Sequence, residues 1–308
     1  MFRAFSTAAA LSAFLLAVLG SWVRINGAGM TCPDWPLCRH ALVPVLSGGV
    51  VFEWSHRLLA LVVGVLTVGA LIGAWRERRR IAGVGTALAA IAGIFAVQVA
   101  LGGLTVALAN TPWSVVVHWG TGMLLVAGLT VLALLAIVAP ARLRVQRSPL
   151  AATLLACAGL AFATMLAGSY VSSSGAGLAC TTVPGCEGSW LGATAAQVAQ
   201  MTHRWIAALF FAVATLAAYL AAFGTTVRVR IATLTAYALV VLQVMLGFAN
   251  VGWHLPTALR EAHAANACTA FVAFLAALVF AAVDGTVAAG VRRAEPALHA
   301  EPAEGAAG

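Results

Sequence analysis

Charge is what this chain has least of. Only 8% of its 308 residues are Asp, Glu, Lys or Arg, and lysine is missing altogether, so all 17 basic residues are arginine. A soluble globular chain carries about a quarter charged and about half apolar residues, whereas 62% of this one is apolar and its mean hydropathy is +1.00. A water-soluble domain is therefore excluded. Alternation of apolar and polar residues, the mark of a membrane strand, is also missing, which excludes a β-barrel. The remaining class is an all-α integral membrane protein.

What the chain does have is a succession of apolar runs, roughly residues 5–23, 52–75, 81–108, 113–138, 150–171, 195–223, 231–250 and 258–283. One span needs about 20 apolar residues, so the pattern predicts eight transmembrane helices. Arg3, Arg76, Arg78, Arg79, Arg80, Arg142, Arg144, Arg147, Arg228, Arg230, Arg292 and Arg293 fall on one side, and Arg24, Arg39, Arg57, Arg204 and Arg260 at or near the other. The positive-inside rule then predicts a multi-pass plasma-membrane protein with both termini in the cytoplasm. The net charge of +8 and the pI near 10.0 thus read as topology, with no nucleic-acid partner. Arg3 and the Ala/Leu-rich run after it look like a cleaved signal peptide, but the same segment matches a span deep inside the chain, so a retained first helix is expected. Residues 285–308 read as a disordered cytoplasmic tail, Ala/Glu/Pro/Gly-rich at its end.

An internal repeat organises the rest. Residues 20–38 align with 168–186 at an offset of 148, with nine identities in nineteen positions, among them Gly20/Gly168, Cys32/Cys180 and Cys38/Cys186. Glu53-Trp-Ser-His56-Arg57 answers Gln200-Met-Thr-His203-Arg204 at 147; Gln98-Val-Ala-Leu-Gly102 answers Gln243-Val-Met-Leu-Gly247, and His118 answers His263, both at 145. The expectation is two tandem four-helix bundles, residues 1–148 and 149–284, related by a pseudo-twofold axis along the membrane normal.

Four of the seven histidines, His56, His118, His203 and His263, fall inside spans, one each on the second, fourth, sixth and eighth, near the outer end. Two histidines facing each other across a four-helix bundle suit bis-imidazole ligation of a haem iron. Independent hydrogen-bonded histidines at the headgroup boundary are the bland alternative, which two matched pairs disfavour. Zinc is less suited, because each histidine stands alone on its helix and Glu53 supplies the only nearby carboxylate. Arg57 and Arg204, next to His56 and His203, are candidate partners of haem propionates, with lipid-headgroup snorkelling as the alternative.

Cys32/Cys38 and Cys180/Cys186 are two Cys-x5-Cys pairs in loops on the outer side, where an oxidising compartment and a duplicated position favour two intraloop disulfides over a metal site shared with His40. Cys157 and Cys268 fall in spans and read as buried thiols. Glu53 precedes His56 by three residues, on the same helical face. Its counterpart is Gln200, so the N-terminal half alone carries the acid, which suggests chemistry in that half, with an outer-end cap as the alternative role.

Taken together, the eight spans, the tandem repeat, the Cys-Pro-Asp-Trp-Pro-Leu-Cys loop, Glu-Trp-Ser-His-Arg and the three further histidines resemble the heme A synthase family, over almost the whole chain. That resemblance implies an oxidoreductase acting on a CH group, turning a ring methyl of heme O into a formyl group by two successive hydroxylations, for cytochrome c oxidase biogenesis. It implies His56 and His118 as axial ligands of substrate heme O, His203 and His263 as ligands of a heme b cofactor, and Glu53 as the catalytic carboxylate, with heme A as product. With both axial positions of heme O filled by histidine, oxygen has no site on that iron unless one leaves. Hydride or electron abstraction, a cationic carbon stabilised by Glu53, and capture by water avoid this. Partners implied are the lipid bilayer, heme O synthase (protoheme farnesyltransferase), cytochrome c oxidase and a second copy of the chain.

The principal rival is a diheme b-type electron carrier, which would use the same four histidines without chemistry on the macrocycle and has no need of the Glu53/Gln200 asymmetry. A transporter with parallel repeats would want polar residues near the midplane, whereas here they gather toward one face.

Overall fold

The structure, a computed structural model, describes residues 1–139, 148–223 and 225–298, with side chains up to residue 284. Eight long helices form in chain order: α1 (Phe2–Ile25), α2 (Gly49–Glu77), α3 (Val84–Ala107), α4 (Pro112–Val138), α5 (Pro149–Ser173), α6 (Ala195–Ala222), α7 (Val227–Gly252) and α8 (Thr257–Leu298). All eight are long and apolar enough to cross a membrane, where a helix is the natural form because it satisfies its own backbone. Pro112 and Pro149 occupy first-turn positions that need no backbone N–H. Ser148, Thr194 and Thr226 cap α5, α6 and α7 with their hydroxyls, Thr194 in a reciprocal box with Gln197. The last helix differs from expectation, since α8 continues to Leu298 through part of the stretch read as a disordered tail. The remainder of that tail, and Arg142, Arg144 and Arg147, lie outside the described residues.

Neighbours are arranged in two rings. In the first, α1 packs on α2 and α4, and α3 on α2 and α4; in the second, α5 packs on α6 and α8, and α7 on α6 and α8. The rings meet where α4 touches α5 and α8, and α1 touches α8. Burial follows: half of the most apolar window of α4 is buried in protein, against 11% in α3 and 17% in α7. The peripheral helices instead turn leucine, valine and phenylalanine outward, as lipid-facing surfaces do.

Hydrocarbon tails solvate leucine as well as a neighbouring helix does, so association in lipid relies on close packing through small residues. Ala9, Ala13, Ala70, Ala74, Ala214, Ala217, Ala221, Ala236 and Ala277 are all buried at helix contacts. On α2, Gly69-Ala-Leu-Ile-Gly73 is a Gly-x-x-x-Gly pair laid against Phe5 and Phe2 of α1.

The turns repeat their backbone as well. Positive φ angles occur at Arg39 (54°) and Glu187 (50°), 148 residues apart, and at Ala109 (51°) and His254 (57°), Asn110 (53°) and Leu255 (60°), each pair 145 apart. Non-glycine residues adopt this region rarely, so its recurrence at the sequence-repeat offsets means that the two halves turn alike. Both long loops, and the short links 108–111 and 253–256, lie at one end, called here the disulfide end.

A Cβ at Gly73 would lie 3.1 Å from the Phe2 Cα, so Gly73→Ala must push α1 from α2. Its expected cost is about 1–3 kcal/mol, read as a lower thermal midpoint in detergent. Gly93→Ala on α3, with nothing within 4 Å, should be neutral or stabilising by up to about 1 kcal/mol. Equal effects would contradict the close α1–α2 contact.

Candidate functional site

His56 on α2 and His118 on α4 lie six or seven residues inside their helices, as do His263 on α8 and, one residue deeper, His203 on α6. At 1.5 Å per residue this puts all four about 9–12 Å below the disulfide end. His56 and His118 are within electrostatic reach of each other, and so are His203 and His263. Each ring of helices thus brings together the two histidines that sequence paired within it.

Three of these imidazoles have an unusual lack. Nδ1 of His56, His118 and His263 is buried without a hydrogen-bond partner, a costly arrangement unless the ring is engaged otherwise. In the fourth, Nδ1 of His203 lies 3.0 Å from the Thr164 carbonyl on α5; donating there leaves Nε2 with a free lone pair, as a backbone carbonyl behind a metal-binding histidine does. Among the described residues, no three His, Cys, Asp or Glu side chains gather at a metal-sized site. Structural or catalytic zinc takes three or four protein ligands, whereas haem brings four nitrogens of its own and asks the protein for two. The donor set fits haem.

Above the histidines the two disulfide loops are pinned by matching residues. The Glu53 carboxylate accepts from the Thr31 hydroxyl and the Cys32 N–H, both at 2.9 Å, and pairs with Arg57 one helical turn on at 2.7 Å. Arg57 donates in turn to the carbonyls of Cys32, Asp34 and Leu37. In the other half, Gln200 Oε1 accepts from the Cys180 N–H at 2.7 Å while its amide donates to the Gly177 carbonyl, and Arg204 donates to Cys180, Thr182, Pro184 and Gly185 carbonyls. Cys32–Cys38 and Cys180–Cys186 are disulfides, and Cys157 and Cys268 are buried free thiols. Outside the membrane spans, Asp34 accepts the N–H groups of Arg39 and His40, and the His40 N–H above all holds its carboxyl below the usual range.

These bonds give Glu53 and Gln200 a common task, tethering the half-cystine backbone to a helix, which spacing alone does not reveal. They also commit both Nη groups of Arg57 and Arg204 to loop carbonyls, leaving Nε. Two further polar residues escaped sequence reasoning. Glu261, 7% exposed, has both carboxylate oxygens buried without a hydrogen-bond partner, within electrostatic reach of Arg24 and Arg260, and Arg24 reaches from α1 to the Ser172 hydroxyl on α5, across the meeting of the halves. The sequence signal for Glu261 was available: its repeat counterpart, at offset 145, is Val116, a broken equivalence like Glu53/Gln200.

Comparison with known proteins matches residues 45–275, well over half the chain, to the COX15-CtaA family of cytochrome oxidase assembly proteins. Heme A synthase of Bacillus licheniformis is 28% identical over 255 residues, covering 80% of this chain and 84% of that one. Heme A synthase of Symbiobacterium thermophilum is 33% identical over 211 residues, 63% of this chain and 67% of its own. Protoheme IX farnesyltransferase of Halobacterium salinarum is 34% identical over 132 residues, 42% of this chain but only 28% of that longer protein. With eight apolar spans, two disulfide loops and this match over most of its length, the chain belongs to the COX15-CtaA heme A synthase family.

Proposed function

We propose that this protein oxidises a ring methyl of heme O to the formyl group of heme A, with water as the oxygen source. The observation that carries the reading is that each four-helix unit brings two histidines within electrostatic reach of each other, with no third ligand nearby among the described residues. His56 and His118 then hold the substrate in the N-terminal unit, residues 1–148, and His203 and His263 hold heme b in the C-terminal unit, residues 149–284. A bis-histidine heme b would supply one-electron transfer, carrying reducing equivalents away from the substrate. Each hydroxylation takes two electrons and two protons from the ring carbon and a water, the electrons passing one at a time to an acceptor outside the chain, and the second leaves a hydrated aldehyde that loses water.

In this reading Glu53 is the catalytic carboxylate. A carboxylate offers about four acceptor sites; Thr31, Cys32 and Arg57 use three, holding the group rigid beside His56. A fixed negative charge stabilises a cationic ring carbon without reorganising as the charge develops. Arg57 and Arg204 act first as loop clamps, and a propionate role rests on Nε. Gln200 keeps the tether and lacks the charge. The diheme electron carrier stays the second reading, because the shared tether means that the Glu53/Gln200 difference alone does not separate the two.

The halves are proposed to be related by a pseudo-twofold axis normal to the membrane. Arg24 meets Ser172 and Met123 meets Cys268, pairs separated by 148 and 145 residues, and residues near such an axis touch their own counterparts. The orientation, disulfide end outside and both termini cytoplasmic, is supported by Arg76, Arg78, Arg79, Arg80, Arg228 and Arg230 at the opposite end. The partial match to a halobacterial protein named protoheme IX farnesyltransferase supports the enzyme that makes heme O as a partner; cytochrome c oxidase is proposed as the destination of the product.

Acid-acetone extraction and mass identification of the haems test the chemistry. Protein from cells supplied with heme O should yield heme A, and Glu53→Gln, which retains an acceptor for the Cys32 N–H, should yield at least tenfold less, with heme O or a hydroxylated intermediate accumulating. Undiminished heme A in that variant would reduce Glu53 to a tether, and heme b alone in the wild type would favour the electron carrier. Arg57→Ala separately removes the loop clamp, and reduction of Cys32–Cys38 by dithiothreitol, followed by maleimide labelling, should accelerate several-fold while Cys180–Cys186 is unaffected.

A further inference from the structure

Each of the four histidines has a glycine of another helix behind it. A Cβ added to Gly20 of α1 would lie 2.9 Å from Cε1 of His56, and one added to Gly168 of α5 would lie 2.9 Å from Cε1 and 3.2 Å from Nδ1 of His203. Gly102 of α3 and Gly247 of α7 stand beside His118 and His263 more loosely, at 3.6 and 3.5 Å. All four are helical without positive φ, so backbone freedom does not explain them. Close helix packing alone would set such glycines against any neighbouring atom, as Gly69 and Gly73 meet phenylalanines. These four all meet the same imidazole carbon, between the two ring nitrogens.

Helix geometry gives the tight pair a second consequence. Side chains tilt toward the helix N-terminus, so a Cβ at position i+4 partly covers the carbonyl of residue i. Gly168 follows Thr164 by four residues and leaves that carbonyl open to a second donor, and Nδ1 of His203 takes it at 3.0 Å. Gly20 likewise follows Leu16 by four, and Leu16 is the counterpart of Thr164 at offset 148. Yet Nδ1 of His56 is buried and unpartnered. The same seat exists in both halves, and the anchor in only one.

We propose that Gly20 and Gly168 are positioning residues for His56 and His203, and that the added Thr164 anchor makes the C-terminal site a holding site while the N-terminal site, seated but unanchored, is built for exchange. This rests on the haem-ligand reading above and extends it: a resident cofactor calls for a pre-oriented imidazole, and a substrate that must leave as product calls for one that turns. Gly102 and Gly247 leave room for a methyl and are not essential to either site.

The test uses the full-length protein purified in detergent from cells supplied with heme O. Gly168→Ala should lose at least half of its heme b or show shifted low-spin g values by electron paramagnetic resonance, whereas Gly247→Ala retains wild-type content and spectrum. Gly159→Ala, on the same helix with nothing within 4 Å, reports whether substitution in α5 itself impairs folding. Should Gly168→Ala fail to fold, the wild type still decides: apomyoglobin added as haem acceptor should take farnesylated haem several-fold faster than heme b. Full heme b with an unchanged spectrum in Gly168→Ala, or equal rates of haem loss from the wild type, would overturn the proposal. A wild type without any haem would overturn the ligand reading beneath it.

Discussion

A polar atom buried in a bilayer has no water to turn to, and every informative feature of this protein follows from how that demand is met or left unmet. Backbone groups meet it by forming eight helices. Arg57 and Arg204, near the helix ends, meet it by gathering seven carbonyls of the two disulfide loops. Glu53 and Gln200 meet it through the half-cystine N–H groups. Among the described residues, the buried side-chain atoms left without a hydrogen-bond partner are Nδ1 of His56, His118 and His263, both oxygens of Glu261, and one oxygen each of Ser6, Ser21, Thr67, Gln98 and Asn250.

Much of this was legible in the sequence because membrane helices are written in a coarse code. Apolar runs marked all eight spans to within a few residues, and the constant offset marked the repeat that the positive-φ turns reproduce. Histidine pairing followed from one histidine on each even-numbered helix. What escaped notice depends on direction rather than position. Which carbonyls Arg57 reaches is set by how the loop folds back over α2, and nothing in the residue order states it. The continuation of α8 past the span was hidden by the tail's composition, which reads as disordered whether or not a preceding helix runs into it. The pairing of Glu261 with Val116 stands in the sequence, but that both its oxygens are buried depends on how α8 packs, which residue order does not state.

The two halves share a scaffold and differ at a few chemical positions. Glu53 answers Gln200, Glu261 stands where the first half has Val116, and Nδ1 of His203 has the Thr164 carbonyl as partner where Nδ1 of His56 has none. Duplication supplies two like four-helix units at little cost in new structure, and in the proposed function divergence at such positions lets one hold heme b and the other transform heme O.

The most direct test of that division assigns each haem to its half. Haems extracted from His118→Ala and His263→Ala, purified alongside the wild type, should show complementary losses: farnesylated haem gone and heme b retained in the first, heme b gone in the second. Loss of both haems to the same extent in both variants, or a wild type whose haem content neither substitution changes, would contradict it.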